Sequence, residues 1–555
     1  MTIDRKKLRW NGWGWNESPD PLGERGPALW DWLQTAFGIE ELPSTPAAEL
    51  SSIQLPSIRL SATQSERLGQ IVPTERVKTD DYERAFHARG QSYLDLLQLR
   101  AGNIDTAPDA VVYPNSSEEV AGVVRFCHEE NVALIPFGGG SSVVGGVTAV
   151  SGDGQSALIT LDMTLMDEVL EIDGQALTAR VQAGIYGPKL EADLAKQGYT
   201  LGHYPQSFEF STLGGWIAHR GAGQQSNKYG KAEKWFVAAT LATPQGIWSS
   251  ENFPASAAGP QLGSLIVGSE GTLGVITEAV VKIQPAPEKK DYRGYVFGTF
   301  EAGLKTVREV VQAGIPVAML RLSDADETQF LSALRGGGST SMGEMRLCVL
   351  LVGHEGTEAA VDAAVSQSQS IAANNQGMHL GEDPGQGWYK GRFSGPYLRD
   401  PLLDRGLAVE TLETSTGWSN IEHLHAAVTD TLTGALKEHA APGVGSQPDT
   451  VSSLVMAHLS HSYSDGASLY FTFVFPRDLS REIEQFRNVK AAACEALLAG
   501  GGTISHHHGV GLDHAGYLER EKGALGVQVL RSIKAQIDPG GILNPGKLIE
   551  PSQND

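Results

Sequence analysis

The chain has 555 residues, of which 41% are hydrophobic and 19% charged, proportions typical of a folded globular protein. That length exceeds what one hydrophobic core supports, so we expect two or three packed units. The formal net charge of −22 at pH 7 disfavours a nucleic-acid partner, because an acidic surface repels phosphates.

Cysteine content and terminal sequences bear on the compartment. Cys127, Cys348 and Cys494 include no CxxC pair, which disfavours a zinc site or a disulfide framework and fits a reducing environment. The basic start MTIDRKKLRWNGWGW lacks the apolar stretch of a secretory signal, and the final SQND is not a peroxisomal signal of the SKL kind. No segment approaches the roughly 20 apolar residues of a membrane span. We therefore expect a cytoplasmic protein.

The chain divides by composition into four stretches. Residues 1–107 read as an accessory helical segment, with one helix predicted from about Asp80 to Arg100. From Ala110 onwards, short Val/Ile-rich runs alternate with helical patterns, which predicts an α+β fold.

Two further boundaries follow along the chain. The segment near Pro285 to Pro287 reads as a linker, so we place one unit at 108–287 and a second α+β unit at 288–500. The last stretch, 501–555, begins with GGGTISHHHGVG and contains a helix that Asp538 and the following Pro-Gly end.

A glycine-rich loop follows the predicted strand ALIPF. Three consecutive glycines, Gly138 to Gly140, allow positive φ and let backbone N–H groups turn inward to bind a pyrophosphate. Taken alone, the same glycines are equally compatible with a simple flexible loop. The loop is not a Rossmann fingerprint, because no GxGxxG opens a helix here.

Two more loops of this character follow in order. Residues 205–215 read PQSFEFSTLGG, and residues 268–276 read GSEGTLGVI. Together with PFGGGSS, this order resembles the FAD-binding half of the vanillyl-alcohol-oxidase-like flavoproteins, the PCMH type, over residues 110–287. The resemblance implies that the loops wrap FAD. Some relatives attach the flavin through a His in the first loop, which has none here, so we expect non-covalent FAD.

The same resemblance implies a set of cofactor-binding residues in these loops. They are Pro136, Phe137, Gly138, Gly139, Gly140, Ser141, Ser142, Gln206, Ser207, Phe208, Glu209, Phe210, Ser211, Thr212, His219, Arg220, Gly221, Ala222, Glu270, Gly271, Thr272, Leu273, Gly274, Val275 and Ile276.

A closer resemblance extends along nearly the whole chain. The segments RWNGWGW, HYPQSFEFSTLGGW, MLRLS, GPYLRD and TISHHHGVG are similar to those of the alkylglycerone-phosphate synthase family. This implies an α+β fold with a two-subdomain PCMH-type FAD-binding domain, an α+β cap domain with an antiparallel sheet, and a helical N-terminal segment. The stretches WYKGRFSGP and HRGAGQQSNKYGK depart from the family pattern.

The triplet His506, His507 and His508 is the most distinctive feature. In a β-like stretch the first and third side chains share one face, so all three cannot ligate one metal ion. A metal site, a surface polar run and a proton-transfer site are the alternatives, and histidine suits the last because it titrates near neutral pH. The resemblance implies an active-site His cluster here, and we expect no metal.

Tyr470 lies in the strand-like run ASLYFTFVF. Alternation places Leu469, Phe471 and Phe473 on one apolar face and Tyr470 on the other. A core or surface tyrosine is the ordinary interpretation of such a position. The resemblance implies an acid/base tyrosine instead.

Arg321 and Arg399 each lie in an otherwise apolar segment. A buried arginine needs an anionic or hydrogen-bonding partner, which is usually a structural salt bridge. The resemblance implies that Arg321 organises the catalytic site and that Arg399 meets the substrate phosphate, a contact that bidentate arginine suits.

The resemblance implies a flavin-dependent transferase of ether-lipid biosynthesis. Such an enzyme exchanges the acyl group of 1-acylglycerone 3-phosphate for a long-chain fatty alcohol without net redox change. Its partners would be the lipid-phosphate and the alcohol, with peripheral membrane contact and a homodimer as the default assembly. Two alternatives remain open: an FAD-dependent dehydrogenase or oxidase of a 2-hydroxy acid, and a catalytically silent flavin-binding protein.

Overall fold

The first half of the chain is built on two moderate sheets and the second half on one large antiparallel sheet, in a computed structural model that describes residues 4–335 and 346–549. The C-terminal SQND lies outside the described residues. Among the described helices, none is long and apolar enough to cross a membrane.

Short helices carry the N-terminal segment: α1 (Gly26–Phe37), α2 (Ala62–Ile71), α3 (Asp81–Phe86) and α4 (Tyr93–Ala101). The prediction of a single helix from Asp80 to Arg100 is wrong, because the helix is interrupted between α3 and α4. The Ser92 side chain caps α4 by accepting from the backbone N–H of Asp95. His87 is drawn into the interior, where its Nε2 lies 2.8 Å from Asp162. These tertiary contacts outweigh the helical pattern.

The first sheet is mainly parallel. It has the order β1-β2-β4-β3, in which only β1 is antiparallel to its neighbour, and α5 (Ser117–Glu130) connects β2 to β3. The carboxyl ends of β3 and β4 therefore share one edge, which places the glycine loop beside Asp162. The strands are β1 (Val77–Lys78), β2 (Ala110–Val112), β3 (Val132–Phe137) and β4 (Ala157–Asp162).

The second sheet is antiparallel, in the order β5-β6-β10-β8-β9, and a two-stranded pair joins β7 to β11. Its core is built around Trp216, Ile217 and Trp235. The strands are β5 (Val169–Asp173), β6 (Thr178–Gln182), β7 (Tyr199–Thr200), β8 (Phe236–Thr243), β9 (Gly246–Ser249), β10 (Val275–Lys282) and β11 (Gln284–Pro285). The helices are α6 (Gly187–Ala195), α7 (Leu213–Ala218), α8 (Ser226–Tyr229) and α9 (Ala232–Trp235).

The third sheet is antiparallel, with the order β15-β12-β14-β13-β17-β18-β16. The predicted boundary at 287/288 falls between β11 and β12. The strands are β12 (Lys289–Phe297), β13 (Met319–Ser323), β14 (Cys348–Gly356), β15 (Met378–Gly381), β16 (Leu407–Gly417), β17 (Leu454–Ser462) and β18 (Gly466–Pro476). The helices are α10 (Phe300–Gln312), α11 (Ala325–Leu334), α12 (Glu358–Asn374), α13 (Asp383–Gly391), α14 (Arg399–Leu403), α15 (Ile421–Glu438) and α16 (Glu482–Ala499).

A buried polar cluster joins the second and third sheets. The carboxylate of Glu355 on β14 accepts from Tyr292 at 2.8 Å, from Gln225 at 2.9 Å and from Tyr229 at 2.5 Å. Gln225 and Tyr229 belong to the first half of the chain, so these bonds fix how the large sheet sits on it. The two halves can therefore share one site.

The C-terminal stretch returns to the first sheet. Helix α17 (Leu518–Ile537), kinked at Gly523, ends immediately before Asp538, as predicted. Beyond it, the backbone N–H of Leu134 donates to Ile542 and the N–H of Asn544 donates to Leu134. The residues around the His triplet are thereby held between the two halves.

Candidate active site

A cavity of about 380 Å³ lies between the loops of the first half and one face of the large sheet. On β18, Leu469, Phe471 and Phe473 are fully buried on the opposite face, under α15 and α16. The cavity face therefore carries the alternate residues of β13, β16, β17 and β18.

The first glycine loop forms one wall, and its glycines are required by close backbone approach. A Cβ on Gly139 would lie 1.7 Å from the carbonyl oxygen of Phe210, and one on Gly138 would lie 2.2 Å from Thr212 Oγ1. Within the described part of the chain, the backbone N–H groups of Gly139, Gly140 and Ser141 have no protein acceptor. Free N–H groups in a tight loop suit the pyrophosphate of a dinucleotide.

The predicted cofactor residues fall into two groups. Those that line the cavity are Gly138, Gly139, Gly140, Ser141, Ser142, Gln206, Ser207, Ser211, Thr212, His219, Gly221 and Ala222. Those outside its lining are Pro136, Phe137, Phe208, Glu209, Phe210, Arg220, Glu270, Gly271, Thr272, Leu273, Gly274, Val275 and Ile276. The binding role of both groups stays a prediction.

Glu270 supports the site from behind the wall. Its carboxylate accepts from the backbone N–H groups of Val510 at 2.6 Å and Gly511 at 2.7 Å. The carboxylate thereby ties the segment after the His triplet to the third glycine loop. Glu270 therefore makes a supporting contact, and its contact with the cofactor stays a prediction.

Tyr470 lies on the cavity face of β18, as its alternation predicts. Its ring centroid is 5.0 Å from that of His458 and 5.5 Å from that of His508. Burial raises the pKa of Tyr470 to about 12, so the phenol is neutral at physiological pH. A neutral phenol among imidazoles is placed to donate or receive a proton.

The prediction that the His triplet alternates along a strand is wrong. His506, His507 and His508 lie in bends, because their three backbone N–H groups all donate to the carboxylate of Glu413. His507 and His508 line the cavity, whereas His506 sits behind them, with Nε2 2.6 Å from the hydroxyl of Tyr463. The triplet thus presents two imidazoles to one space.

Burial lowers the pKa of all three histidines, so neutral imidazoles are favoured. Ring nitrogens of His461, His506 and His507 lie within 4.8 Å of one another, a spacing that could hold a metal ion. Because the triplet is not a strand, side-chain alternation does not exclude a metal ion here, and the absence of a metal stays a prediction.

Arg321 and Arg399 both line the cavity, and both also have internal partners. Arg321 donates to Glu327 at 2.9 Å and to Ser323 at 2.8 Å. Arg399 donates to the carbonyl of Gln91 at 2.7 Å. Each arginine therefore has a structural partner inside the protein and also faces the cavity, and this is clearest for Arg321.

The sequence interpretation missed Glu413, Glu327, His458 and His461. Each lies on or beside an apolar strand or helix of the large sheet, and all four are buried. The available signal was clearest at His458, an imidazole that follows four apolar residues in the strand LVMAHLSHS.

Apolar side chains line the rest of the cavity, where α11 and α14 cover the large sheet. Several belong to a cluster with α1, which includes Phe330, Leu402 and Met456. The lining residues of this apolar end are Met319, Phe330, Leu331, Leu334, Leu398, Leu402, Val409 and Met456. One cavity thus carries polar and basic side chains together with this apolar group, which we call its apolar end.

Comparisons with known proteins agree with this architecture. Residues 108–250 match the FAD binding domain model, and residues 286–548 match the model for the C-terminal domain of FAD linked oxidases. The free N–H groups of the glycine loop fit that cofactor, and the protein is an FAD-binding flavoprotein. A solved p-cresol methylhydroxylase shares the fold, with a TM-score of 0.65 at 14% identity over 89% of this chain and 97% of its own.

Full-length relatives are more specific. The alkyldihydroxyacetonephosphate synthase of Dictyostelium discoideum is 33% identical, with 98% of this chain and 94% of the relative covered. The enzyme of that name from Trypanosoma brucei brucei is 31% identical, covering 98% and 92%. A solved alkyldihydroxyacetonephosphate synthase superposes with a TM-score of 0.83 at 31% identity, covering 98% of this chain and 99% of its own. The chain belongs to the alkyldihydroxyacetonephosphate synthase family, which is the alkylglycerone-phosphate synthase family under another name.

Proposed function

We propose that this protein exchanges the acyl group of 1-acylglycerone 3-phosphate for a long-chain fatty alcohol, with no net redox change. The observation that carries the proposal is the single cavity in which glycine loops, two arginines, a tyrosine and histidines meet an apolar end. The full-length relatives are named alkyldihydroxyacetonephosphate synthase, and an alkyl ether of that phosphate is the product of this exchange.

The cavity holds side chains suited to both parts of such a substrate, the phosphate and the aliphatic chain. Arg399 and Arg321 supply guanidinium groups that match a phosphate. The apolar end around Leu331 and Met456 excludes water and accepts an aliphatic chain, whose burial contributes about 0.8 kcal/mol per methylene group. A small 2-hydroxy acid would leave this apolar end unused.

The neutral phenol of Tyr470 gives or takes the proton at the substrate carbon, next to the ring of His508. His507 and His508 accept the proton of the incoming alcohol and protonate the departing carboxylate. FAD bound against the glycine loops would supply an electron-accepting ring during the exchange. The residues that hold it would be Gly138 to Ser142, with Gln206, Ser207, Ser211 and Thr212.

We further propose a cytoplasmic homodimer that touches membranes peripherally. The support is general: symmetric dimers are the commonest assemblies of soluble proteins, and a lipid substrate partitions into bilayers.

Anaerobic mixing of the purified yellow protein with palmitoyl-glycerone phosphate and hexadecanol tests the reaction. The flavin spectrum and the release of palmitate are followed together. Palmitate release with alkylglycerone phosphate formed and no net flavin reduction is the expected result. No turnover, together with flavin bleaching by a 2-hydroxy acid alone, would replace the proposal with a dehydrogenase.

A further inference from the structure

Glu413 occupies the point where the large sheet meets the His triplet. It lies on β16 as the cross-strand partner of Tyr470, so both side chains share the cavity face of the sheet. Glu413 is 2% exposed. Its carboxylate accepts from the hydroxyl of Ser505 at 2.8 Å, from the N–H of His508 at 2.8 Å and from that of His507 at 3.2 Å, and also from the N–H of His506.

The carboxylate has no lysine or arginine partner among the described ion pairs. Its nearest titratable neighbours are instead the imidazoles of His507 and His508, each with Nδ1 3.6 Å from a carboxylate oxygen. Lys231 donates to the carbonyl of His506 rather than to Glu413. A buried negative charge held by N–H groups and lying this close to two imidazoles opposes the effect of burial and raises their affinity for a proton.

We propose that Glu413 is a positioning residue for the reaction proposed above, on which this inference rests. Its carboxylate curls the backbone of His506 to His508 so that two imidazoles face the cavity. The same carboxylate supplies the negative charge that lets His507 or His508 hold a proton during the exchange.

Among the titratable groups around the triplet, Glu413 does most to favour protonation of His507 and His508. Burial lowers the pKa of His507 and His508, and Glu413 is the strongest influence in the opposite direction at both. The other titratable groups that face the cluster are Lys231, Glu233, Arg399, Glu410, His458, His461, Tyr463, Tyr470, Lys490 and His514. Of these, Glu410 also raises the pKa of His508, but more weakly than Glu413.

Three variants test the charge and the backbone anchoring. Glu413→Gln keeps the shape but removes the charge and replaces one accepting oxygen by an NH2 group, whereas Glu413→Asp keeps the charge and both oxygens. Glu521→Gln is the matched control, because Glu521 anchors the same segment by accepting from the N–H of Ile504 at 2.8 Å and from Thr503 Oγ1 at 2.9 Å. Each holoenzyme is compared with wild type in the pH profile of palmitate release.

A second measurement does not depend on turnover. Exchange of the imidazole C2 proton for deuterium, followed by mass spectrometry of the peptide that carries His506 to His508, gives the ionisation midpoint of these histidines. It remains informative if wild type shows no transfer, so failure of the proposed function and failure of this inference are distinguishable.

We expect Glu413→Gln to lower that midpoint, and the limb of the pH profile that follows it, by about one to three units. Transfer should fall at least roughly tenfold, a change equivalent to about 1.4 kcal/mol. Glu413→Asp should restore much of the midpoint, and Glu521→Gln should leave it unchanged. An unshifted midpoint in Glu413→Gln, or the same shift in Glu521→Gln, would overturn the role of Glu413.

Discussion

Nη2 of Arg5 lies 2.7 Å from Oδ2 of Asp162, across 157 positions of sequence. The same guanidinium donates to the carbonyl of Gly138 at 2.5 Å, where the first glycine loop begins. Burial opposes the charge of Asp162, yet Arg5 and His87 hold the pKa of this carboxyl below its usual value. The N-terminal segment thus supports the FAD loop through a buried ion pair.

Replacement of Arg5 should therefore weaken cofactor binding. In Arg5→Met, the Gly138 carbonyl loses this donor and Asp162 loses its arginine partner, keeping only the contact with His87 and hydrogen bonds from Thr164; breaking such a buried pair costs about 3–5 kcal/mol. We expect a lower melting temperature and FAD affinity weaker by roughly tenfold or more, equivalent to about 1.4 kcal/mol. Flavin fluorescence during dilution measures the affinity.

A second substitution separates the two effects. Adding Asp162→Asn to Arg5→Met removes that buried charge, so the melting temperature should recover while FAD affinity stays low. Arg180→Ala, at an exposed ion pair with Glu278, is the control and should change neither property. Wild-type FAD affinity in Arg5→Met would contradict a bracing role.

Tyr470→Phe should keep FAD and lose transfer, because it removes the hydroxyl and leaves the ring in place. We expect an unchanged flavin spectrum and a rate of palmitate release at least roughly a hundredfold lower, as for loss of an acid/base group. Tyr517→Phe, at a half-buried tyrosine away from the cavity, should retain full activity. Normal turnover in Tyr470→Phe would remove the phenol from the mechanism.

The ionisation of Glu327 should make the free energy of unfolding depend on pH in the acid range. Burial works to raise the pKa of Glu327, but the charges of Arg321 and His458 outweigh it and lower the value to about 2, from 4.5. A carboxyl whose pKa falls on folding stabilises the protein above the unfolded value, here by about 3 kcal/mol, and this contribution disappears as pH falls from 4.5 towards 2. Melting temperatures of wild type and Glu327→Gln should thus differ most above pH 5 and converge below pH 4. A difference that grows on acidification would contradict the ion pair.

Leu331 lies on α11 at the apolar end of the cavity. Leu331→Trp should shorten the space for the aliphatic chain, so the ratio of rates with palmitoyl and octanoyl substrates should fall several-fold. Overpacking costs about 1–3 kcal/mol, which the melting temperature will register. The exposed Leu380→Trp on β15 is the matched control and should leave the ratio unchanged. An unchanged ratio in Leu331→Trp would place the chain elsewhere.

Patterns of neighbouring residues correctly predicted the strand that carries Tyr470 and the strand and loop that meet at Gly138. The alternation around Tyr470 correctly gave a strand with one apolar face and one cavity face, and the run into Gly138 gave a strand followed by a tight loop. Each depends only on neighbouring residues: side-chain period in one case, glycine conformation in the other.

Features set by distant partners were not predictable in this way. The His triplet reads as a strand until Glu413, about ninety positions earlier, collects its N–H groups. The helix predicted through His87 is broken because Asp162 binds the imidazole. In both places, one buried carboxylate overrides the local pattern, and a single sequence does not reveal which carboxylate will do so.

The N-terminal segment imposes an order on folding. Arg5 binds at the first glycine loop, whereas Arg9 and the N–H of Trp13 bind Asp400, at 3.0 Å and 2.9 Å. Arg9 and Trp13 therefore cannot make these contacts until Asp400, several hundred residues later in the chain, has been synthesised. A nascent chain released before Asp400 would already contain Gly138 and Asp162, the partners of Arg5, but Arg9 and the N–H of Trp13 would lack theirs, so the N-terminal segment would be tied to the first half alone.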